Sequence, residues 1–176
     1  MNLAPTLETA RLRLRAHHVD DLADCVAMWS DEAIARHTIG SPSPPQRTWI
    51  RLLAYRGHWS LLGFGYWAVE EKATSRTIGE LGFADFKRGL SPSIDGVPEL
   101  GWALARHAHG QGFATEALRA VVAWADATLA AERTVCIISP DNAPSLRVAD
   151  KIGYRAYART TKEGAPEILL ERSRGG

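Results

Sequence analysis

The stretch of this chain whose residue types could do chemistry runs from Glu99-Leu-Gly-Trp-Ala-Leu-Ala105, through Arg106 to Ala108, into His109-Gly-Gln-Gly-Phe-Ala-Thr-Glu116. Leu100, Trp102 and Leu104 fall on one face of a period-two pattern, which predicts a strand. The apolar spacing that starts at Phe113 predicts a helix. Gly110 and Gly112 therefore stand in a tight strand-to-helix turn. Such a turn can aim successive N–H groups into one concavity at the positive end of a helix dipole, a setting that suits a diphosphate. Two glycines by themselves can also simply end a strand. No Gly-Lys-Ser/Thr follows them, which speaks against a P-loop, and Thr115 occupies the place of the third glycine in a dinucleotide fingerprint.

The elements that must position this turn can be read outward from it. Gly101 interrupts its strand, which points to a bulge or to a ligand approaching the backbone. Phe113, Ala117, Val121, Trp124 and Leu129 form the apolar stripe of a helix over 113–130, faced by Thr115, Glu116, Arg119 and Asp126. Thr134 to Ser139 reads as a strand. Ala143 to Ile152 reads as a helix with Pro144 in its first turn and Gly153 beyond its end. Strands are expected from Tyr154 onward and around Ile168 to Leu170.

Upstream, Leu12 and Leu14 alternate with Arg11, Arg13 and Arg15 in a half-buried strand over 9–16. Asp20 and Asp21 open a helix carrying Leu22, Val26 and Trp29 and ending before Gly40. After the breaker Ser41-Pro-Ser-Pro-Pro45, the residues Trp49, Leu52, Leu53 and Tyr55 predict a second helix with an exit at Gly57. Phe64 to Val69 and Arg76 to Lys87 read as a hairpin, and Ser91 to Pro98 as a loop.

The segment Gly110-Gln-Gly-Phe-Ala-Thr-Glu-Ala117 resembles motif A of the GNAT acetyltransferases, in the branch that includes the ribosomal-protein N-terminal acetyltransferases. Leu7-Glu-Thr-Ala-Arg-Leu-Arg-Leu-Arg15 resembles that branch's opening strand. Asn142-Ala-Pro-Ser-Leu-Arg-Val-Ala-Asp-Lys-Ile-Gly-Tyr154 resembles its second cofactor motif, so the likeness spans nearly the whole chain. It implies an α/β (α+β) fold: a mixed, mostly antiparallel sheet of six to seven strands, flanked by about four helices and opened between the fourth and fifth strands. It implies acetyl-CoA as co-substrate. The backbone of Trp102, Ala103 and Leu104 would bond the pantetheine arm. His109, Gly110, Gln111, Gly112, Phe113, Ala114 and Thr115 would hold the pyrophosphate, and Asn142 and Ser145 would meet the pantetheine and the sulfur end. The family pattern has Gln or Arg where this chain has His109.

Acetyl transfer to an amine requires a neutral amine, a polarised thioester carbonyl and the two held within reach. Direct attack is the expected mechanism, with a bulge near Gly101 turning an N–H toward the thioester oxygen. A carboxylate must take the amine's proton, because an ordinary amine is mostly charged at neutral pH. Glu99 is the first candidate, with Glu80 and Asp85 on the neighbouring strand as alternatives; each could also be a solvated charge at a strand end. The Ser145 hydroxyl could serve the departing thiolate, or could merely cap its helix. The implied acceptor is a protein N-terminal amine. A small amine such as a polyamine or an antibiotic is the alternative, and a catalytically silent acetyl-CoA sensor is a third reading.

The bulk properties fit this frame. A chain of 176 residues favours a single domain over 1–176, and an apolar share of 45% with 23% charged residues is ordinary for a globular protein. A net charge of +1, with bases and acids interleaved, leaves no footprint for nucleic acid. Met1 to Leu7 lacks the pattern of an export signal and no apolar run is long enough for a bilayer, so a cytoplasmic protein without a membrane partner is expected. Cys25 and Cys136 read as small buried residues in a reducing compartment. No metal is expected: His107 and His109 lack further ligands at fitting spacing, and His17 and His18 read as surface residues. Trp29, Trp49 and Trp124 read as core, with Trp59 and Trp67 left open. A monomer or homodimer is expected.

Overall fold

The computed structural model describes residues 4–176; Met1, Asn2 and Leu3 of the opening segment lie outside them. In chain order, the elements are β1 (Leu7–Glu8), β2 (Leu12–Arg15), α1 (Leu22–Trp29), α2 (Glu32–Ala35), α3 (Pro45–Leu62), β3 (Tyr66–Glu71), β4 (Arg76–Ala84), β5 (Glu99–Leu104), α4 (Phe113–Thr128), β6 (Arg133–Ile138), α5 (Ala143–Lys151), β7 (Arg155–Lys162) and β8 (Ala165–Ser173). Short 3-10 turns precede α1 and follow β5. The strands form one eight-stranded sheet in the order β1-β2-β3-β4-β5-β6-β8-β7. Every neighbouring pair is antiparallel except β5 with β6.

The class is the expected one, and the element counts differ for local reasons. The opening strand splits in two because the Thr9 hydroxyl accepts from the Leu12 N–H at 3.0 Å, folding a turn into the chain. The first predicted helix is likewise two: the Ser30 hydroxyl donates back to the Val26 carbonyl at 2.8 Å, and the Asp31 carboxylate accepts from the Ala33 N–H at 2.9 Å to cap α2. The exit expected at Gly57 does not occur. Helix α3 runs on, anchored by the buried Tyr55 and Trp59, and stops at Gly63, whose φ of 75° supplies the left-handed cap.

Burial divides the core by sheet face. The larger part joins Leu81, Phe83, Leu100 and Leu104 of the sheet to Phe113, Leu118 and Val121 of α4 and to Ala149 near the end of α5. A smaller one packs Cys25, Met28 and Trp29 of α1 with Ile34, Leu52 and Ala103. Trp59, Trp67 and Trp124 meet edge to face at 4.6 to 5.5 Å, fastening α3, β3 and α4 together. Trp59 and Trp67 thus join the core, whereas Trp49, expected there, is 37% exposed. Both cysteines are buried free thiols. Among the described residues, no helix is long and apolar enough to cross a membrane.

One feature of the sheet governs everything that follows. Strands β5 and β6 pair at Glu99 with Val135, supported by a 3.0 Å bond from the Val135 N–H to the Pro98 carbonyl, and then part. The side of β5 that faces β6 is consequently open beyond that point. Because the opening strand counts as two, this fork lies between the fifth and sixth strands.

Candidate active site

Strand β5 has an unbroken antiparallel ladder with β4, from Ala84 opposite Glu99 to Gly79 opposite Leu104. The bulge expected at Gly101 is therefore absent. Its lack of a side chain has another cause: a Cβ at Gly101 would overlap the Tyr66 hydroxyl. Tyr66 is held there by stacking on Tyr55, with ring centroids 4.3 Å apart and planes 2° from parallel. The glycine makes room for a tyrosine aimed across the strand.

The far end of β5 passes through the turn Arg106–Ala108 into the glycine pair. Gly110 and Gly112 adopt φ values of 74° and 80°, the left-handed region that glycine enters without strain. A Cβ at Gly110 would meet nothing within 4 Å, and at Gly112 only the Arg11 guanidinium at 3.6 Å. Backbone conformation, together with free space, explains both glycines. Among the described residues, the N–H groups of Gly110, Gln111, Gly112, Phe113, Ala114 and Thr115 donate to no protein acceptor; the first bond of the helix is from Glu116 to Gly112 at 3.0 Å. Unpaired amides at a helix start form an anion cradle.

The side chains around the turn brace it. The His109 ring sits 2.8 Å from the Leu104 carbonyl, so it ties the turn to the strand end. The Gln111 amide donates to the His107 carbonyl at 2.6 Å. Arg11, one of the alternating charges of the first strand in sequence, reaches this turn in the fold. It donates to the Gln111 carbonyl at 2.9 Å, pairs with Glu116 at 2.7 Å and lies over the Phe113 ring at 4.3 Å. No local pattern links Arg11 to a turn about a hundred residues away, so only the fold reveals it.

A cleft of about 390 Å³ runs along β5 from Glu99 to Ala103, and Glu99, Trp102, Ala103, Asn142 and Ser145 face into it together with Glu80. Leu104 and the turn residues His109 to Thr115 do not line it; Leu104 ends the strand, whose six residues span roughly 17 Å, and the turn lies beyond it. Asn142 caps α5, its side-chain oxygen accepting from the Ser145 N–H at 3.2 Å. Ser145 is thus not the cap, and its hydroxyl makes no bond to protein among the described residues.

The three candidate carboxylates occupy different settings. Glu99 is 5% exposed and held by both arms of Arg88 at 2.7 and 2.8 Å. Glu80 is wholly buried. One of its oxygens accepts from Trp29 at 3.0 Å and from the Tyr55 hydroxyl at 2.7 Å, while the other has no partner. Burial pushes the Glu80 carboxyl above the ordinary range and the Tyr55 and Tyr66 phenols well up. Asp85 does not line the cleft; it pairs with Lys87 and accepts from the Gly96 N–H at 3.1 Å, tying a loop.

His17, expected at the surface, is buried, and both ring nitrogens lack partners. Its donor atoms gather with those of Cys25 and Glu80 within 4.8 Å of one another. Sequence spacing hid this group, because it joins a connecting segment (His17) to α1 (Cys25) and β4 (Glu80).

Comparison with known proteins agrees with the geometry. Residues 11–155 match the family model described as an acetyltransferase (GNAT) domain. The chain is 28% identical over 181 residues to the uncharacterized protein YkkB of Bacillus subtilis, covering 98% of each. A solved protein of Bordetella pertussis described as a GnaT-family acetyltransferase superposes with a TM-score of 0.85 at 32% identity, covering 97% of this chain and 100% of that one. An acetyltransferase of Agrobacterium tumefaciens gives 0.80 at 27% identity, covering 96% and 94%.

Proposed function

The chain belongs to the GNAT acetyltransferase family, and from that premise we propose that it moves an acetyl group from acetyl-CoA to a primary amine by direct attack, a protein N-terminal amine being the first acceptor to test. The observation that carries this reading is the pairing of two features on one strand. Unpaired amides from Gly110 to Thr115 stand past one end of β5, and the cleft with Glu99 and Ser145 runs along the strand from the other, beside an edge that β6 leaves free.

In this reading the amides at the start of α4 hold the pyrophosphate, and the open edge of β5 at Trp102 to Leu104 guides the pantetheine toward the cleft. The amine nitrogen bonds to the thioester carbon, the carbon–sulfur bond breaks, and the electron pair leaves on sulfur. Ser145 hydrogen-bonds the departing thiolate, a task its uncommitted hydroxyl can perform, and the second proton, which the nitrogen sheds as it becomes an amide, passes to that sulfur. Glu99, directly or through water, takes the proton from the ammonium form of the acceptor, while Arg88 holds the carboxylate at the cleft wall. Trapping both ends of the donor on one rigid strand lowers the barrier by positioning, without a covalent enzyme intermediate.

The acceptor class is not set by the fold. Structures sharing it at lower identity include a ribosomal-protein-serine acetyltransferase and a spermidine N-acetyltransferase of Vibrio cholerae, together with an aminoglycoside acetyltransferase. Release of free CoA thiol across a panel of peptides, polyamines and aminoglycosides tests the proposal, and a panel that stays silent while acetyl-CoA binds would favour the sensor reading. Glu99→Gln should lower turnover by about a hundredfold or more, most severely at low pH, where few acceptor molecules are already neutral. An unchanged pH profile removes Glu99 from the role of base.

A further inference from the structure

Building on the acetyl-transfer reading, we infer that the acceptor cleft contains an anion subsite at Arg51, so that the amine it takes also bears a carboxylate or similar planar anion. Arg51 lies on α3 and lines the same cleft as Glu99, Tyr66 and Ser145. It is half-buried, yet it has no acidic partner and donates no hydrogen bond to protein among the described residues. Among the described arginines that combination is unique. Arg15, Arg88, Arg133 and Arg172, also shielded from full exposure, are each paired with a carboxylate. The described arginines without an acidic partner, other than Arg51, are solvent-exposed.

What holds Arg51 is a ring. Its guanidinium carbon sits 3.9 Å from the centroid of Trp29. Stacking fixes the plane of the group and leaves its edge donors unspent, and a planar fork of N–H donors matches a carboxylate in two-point fashion. The nearest candidate to neutralise it is Glu80, but that carboxyl lies outside ion-pair distance of Arg51 and already accepts from Trp29 and Tyr55. Burial raises the Glu80 carboxyl, against the opposing pull of the Tyr55 bond and the Arg51 charge. Arg88, the cleft's other arginine, is committed to Glu99. Lys162, Glu163 and Glu167 also line the cleft; they supply one cation and two anions, so the ammonium of a zwitterionic acceptor meets acids while its anion meets Arg51. A half-buried cation kept without a carboxylate inside a concave cleft is arranged for a ligand to complete.

The shared chemistry, a carboxylate a short distance from a primary amine, could come from a small amino acid or from an acidic side chain near a peptide N-terminus. Matched pairs separate these sources: γ-aminobutyrate against propylamine, phenylalanine against phenylalaninamide, and a peptide with aspartate in second place against its asparagine counterpart. Each is assayed with the full chain and acetyl-CoA by thiol release, and for equilibrium binding to the CoA-loaded protein by calorimetry. The carboxylated member of at least one pair should show a KM and a Kd about ten- to hundredfold lower, the range of a charge-assisted pair. Arg51→Gln should bring that ratio toward one, and Arg51→Lys should keep part of it. Equal affinities in every pair, or a preference that survives Arg51→Gln, would overturn the inference. Absence of turnover with every amine refutes acetyl transfer instead, while the calorimetric ratio still judges Arg51.

Discussion

Acidification should weaken this protein through one residue, His17. Its side chain is packed 5.3 Å from the Tyr55 ring, with both nitrogens unpartnered and Nε2 3.9 Å from Glu80. Burial pushes the imidazole from 6.5 down to about 4; Asp21 pulls it back up, and Arg15, Arg56 and His18 push it further down. The unfolded chain therefore binds a proton near pH 6.5 that the folded chain accepts only near pH 4. Stability is complete above the higher value and is lost as pH falls toward the lower one, with nothing further to lose below it. At 1.36 kcal/mol per pH unit, the interval corresponds to about 3 kcal/mol. Glu80 works in the opposite sense, because burial raises its carboxyl and the folded chain takes that proton first. Asp21 titrates lower: burial pushes it up, but bonds from Arg15, the His18 N–H and Thr77 bring it to about 2. A comparison of wild type with His17→Phe isolates the histidine. Urea unfolding followed by tryptophan fluorescence, from about pH 7.5 to about pH 4.5, should show the wild type losing roughly 2 to 3 kcal/mol more than the variant. Parallel curves, or an imidazole resonance titrating near pH 6.5 in the folded protein, would refute the reasoning.

Other substitutions probe the site and the core. Gly101→Ala should destabilise the protein by about 1–3 kcal/mol through its clash with the Tyr66 hydroxyl, and much of that loss should vanish in a Tyr66→Phe background, measured as a double-mutant cycle in denaturant. Gly112→Ala forces a side chain into φ 80°; it should cost about 1 kcal/mol in stability and, by turning amides out of the cradle, raise the KM for acetyl-CoA roughly tenfold. Leu118→Ala, at a position with no exposure, should lower unfolding free energy by about 2–5 kcal/mol while the KM values of both substrates stay put.

The parts legible in sequence were those with local causes. The apolar stripe of α4, the glycine pair before it and the alternation of Leu100, Trp102 and Leu104 each leave a periodic or conformational mark that a reader can follow. The breaks at Thr9 and Ser30 were hidden because they depend on side-chain hydroxyls turning back on their own backbone, which composition does not disclose. Gly57 misled because glycine permits a helix to stop without requiring it, and the buried neighbours Tyr55 and Trp59 held the helix intact. At the site, Glu99 was a candidate from its place at the start of a strand, and Ser145 from the likeness of its segment to the family's second cofactor motif. The bracing of the turn by Arg11, the stacking of Tyr66 on Tyr55 and the isolation of Arg51 arise from contacts between distant segments, and no spacing rule reports them.

The parting of β5 from β6 has a mechanical corollary. A sheet whose two wings share a single bridge, Glu99 with Val135, is joined there chiefly by the core beneath α4 and not by backbone rungs. An extended molecule lodged in the gap supplies the missing rungs, acting as a temporary strand. Amide hydrogens along 100–104 should then exchange more slowly when the gap is filled, and the β6-β8-β7 wing should stiffen along with them, so that occupancy of the fork is felt across the whole sheet.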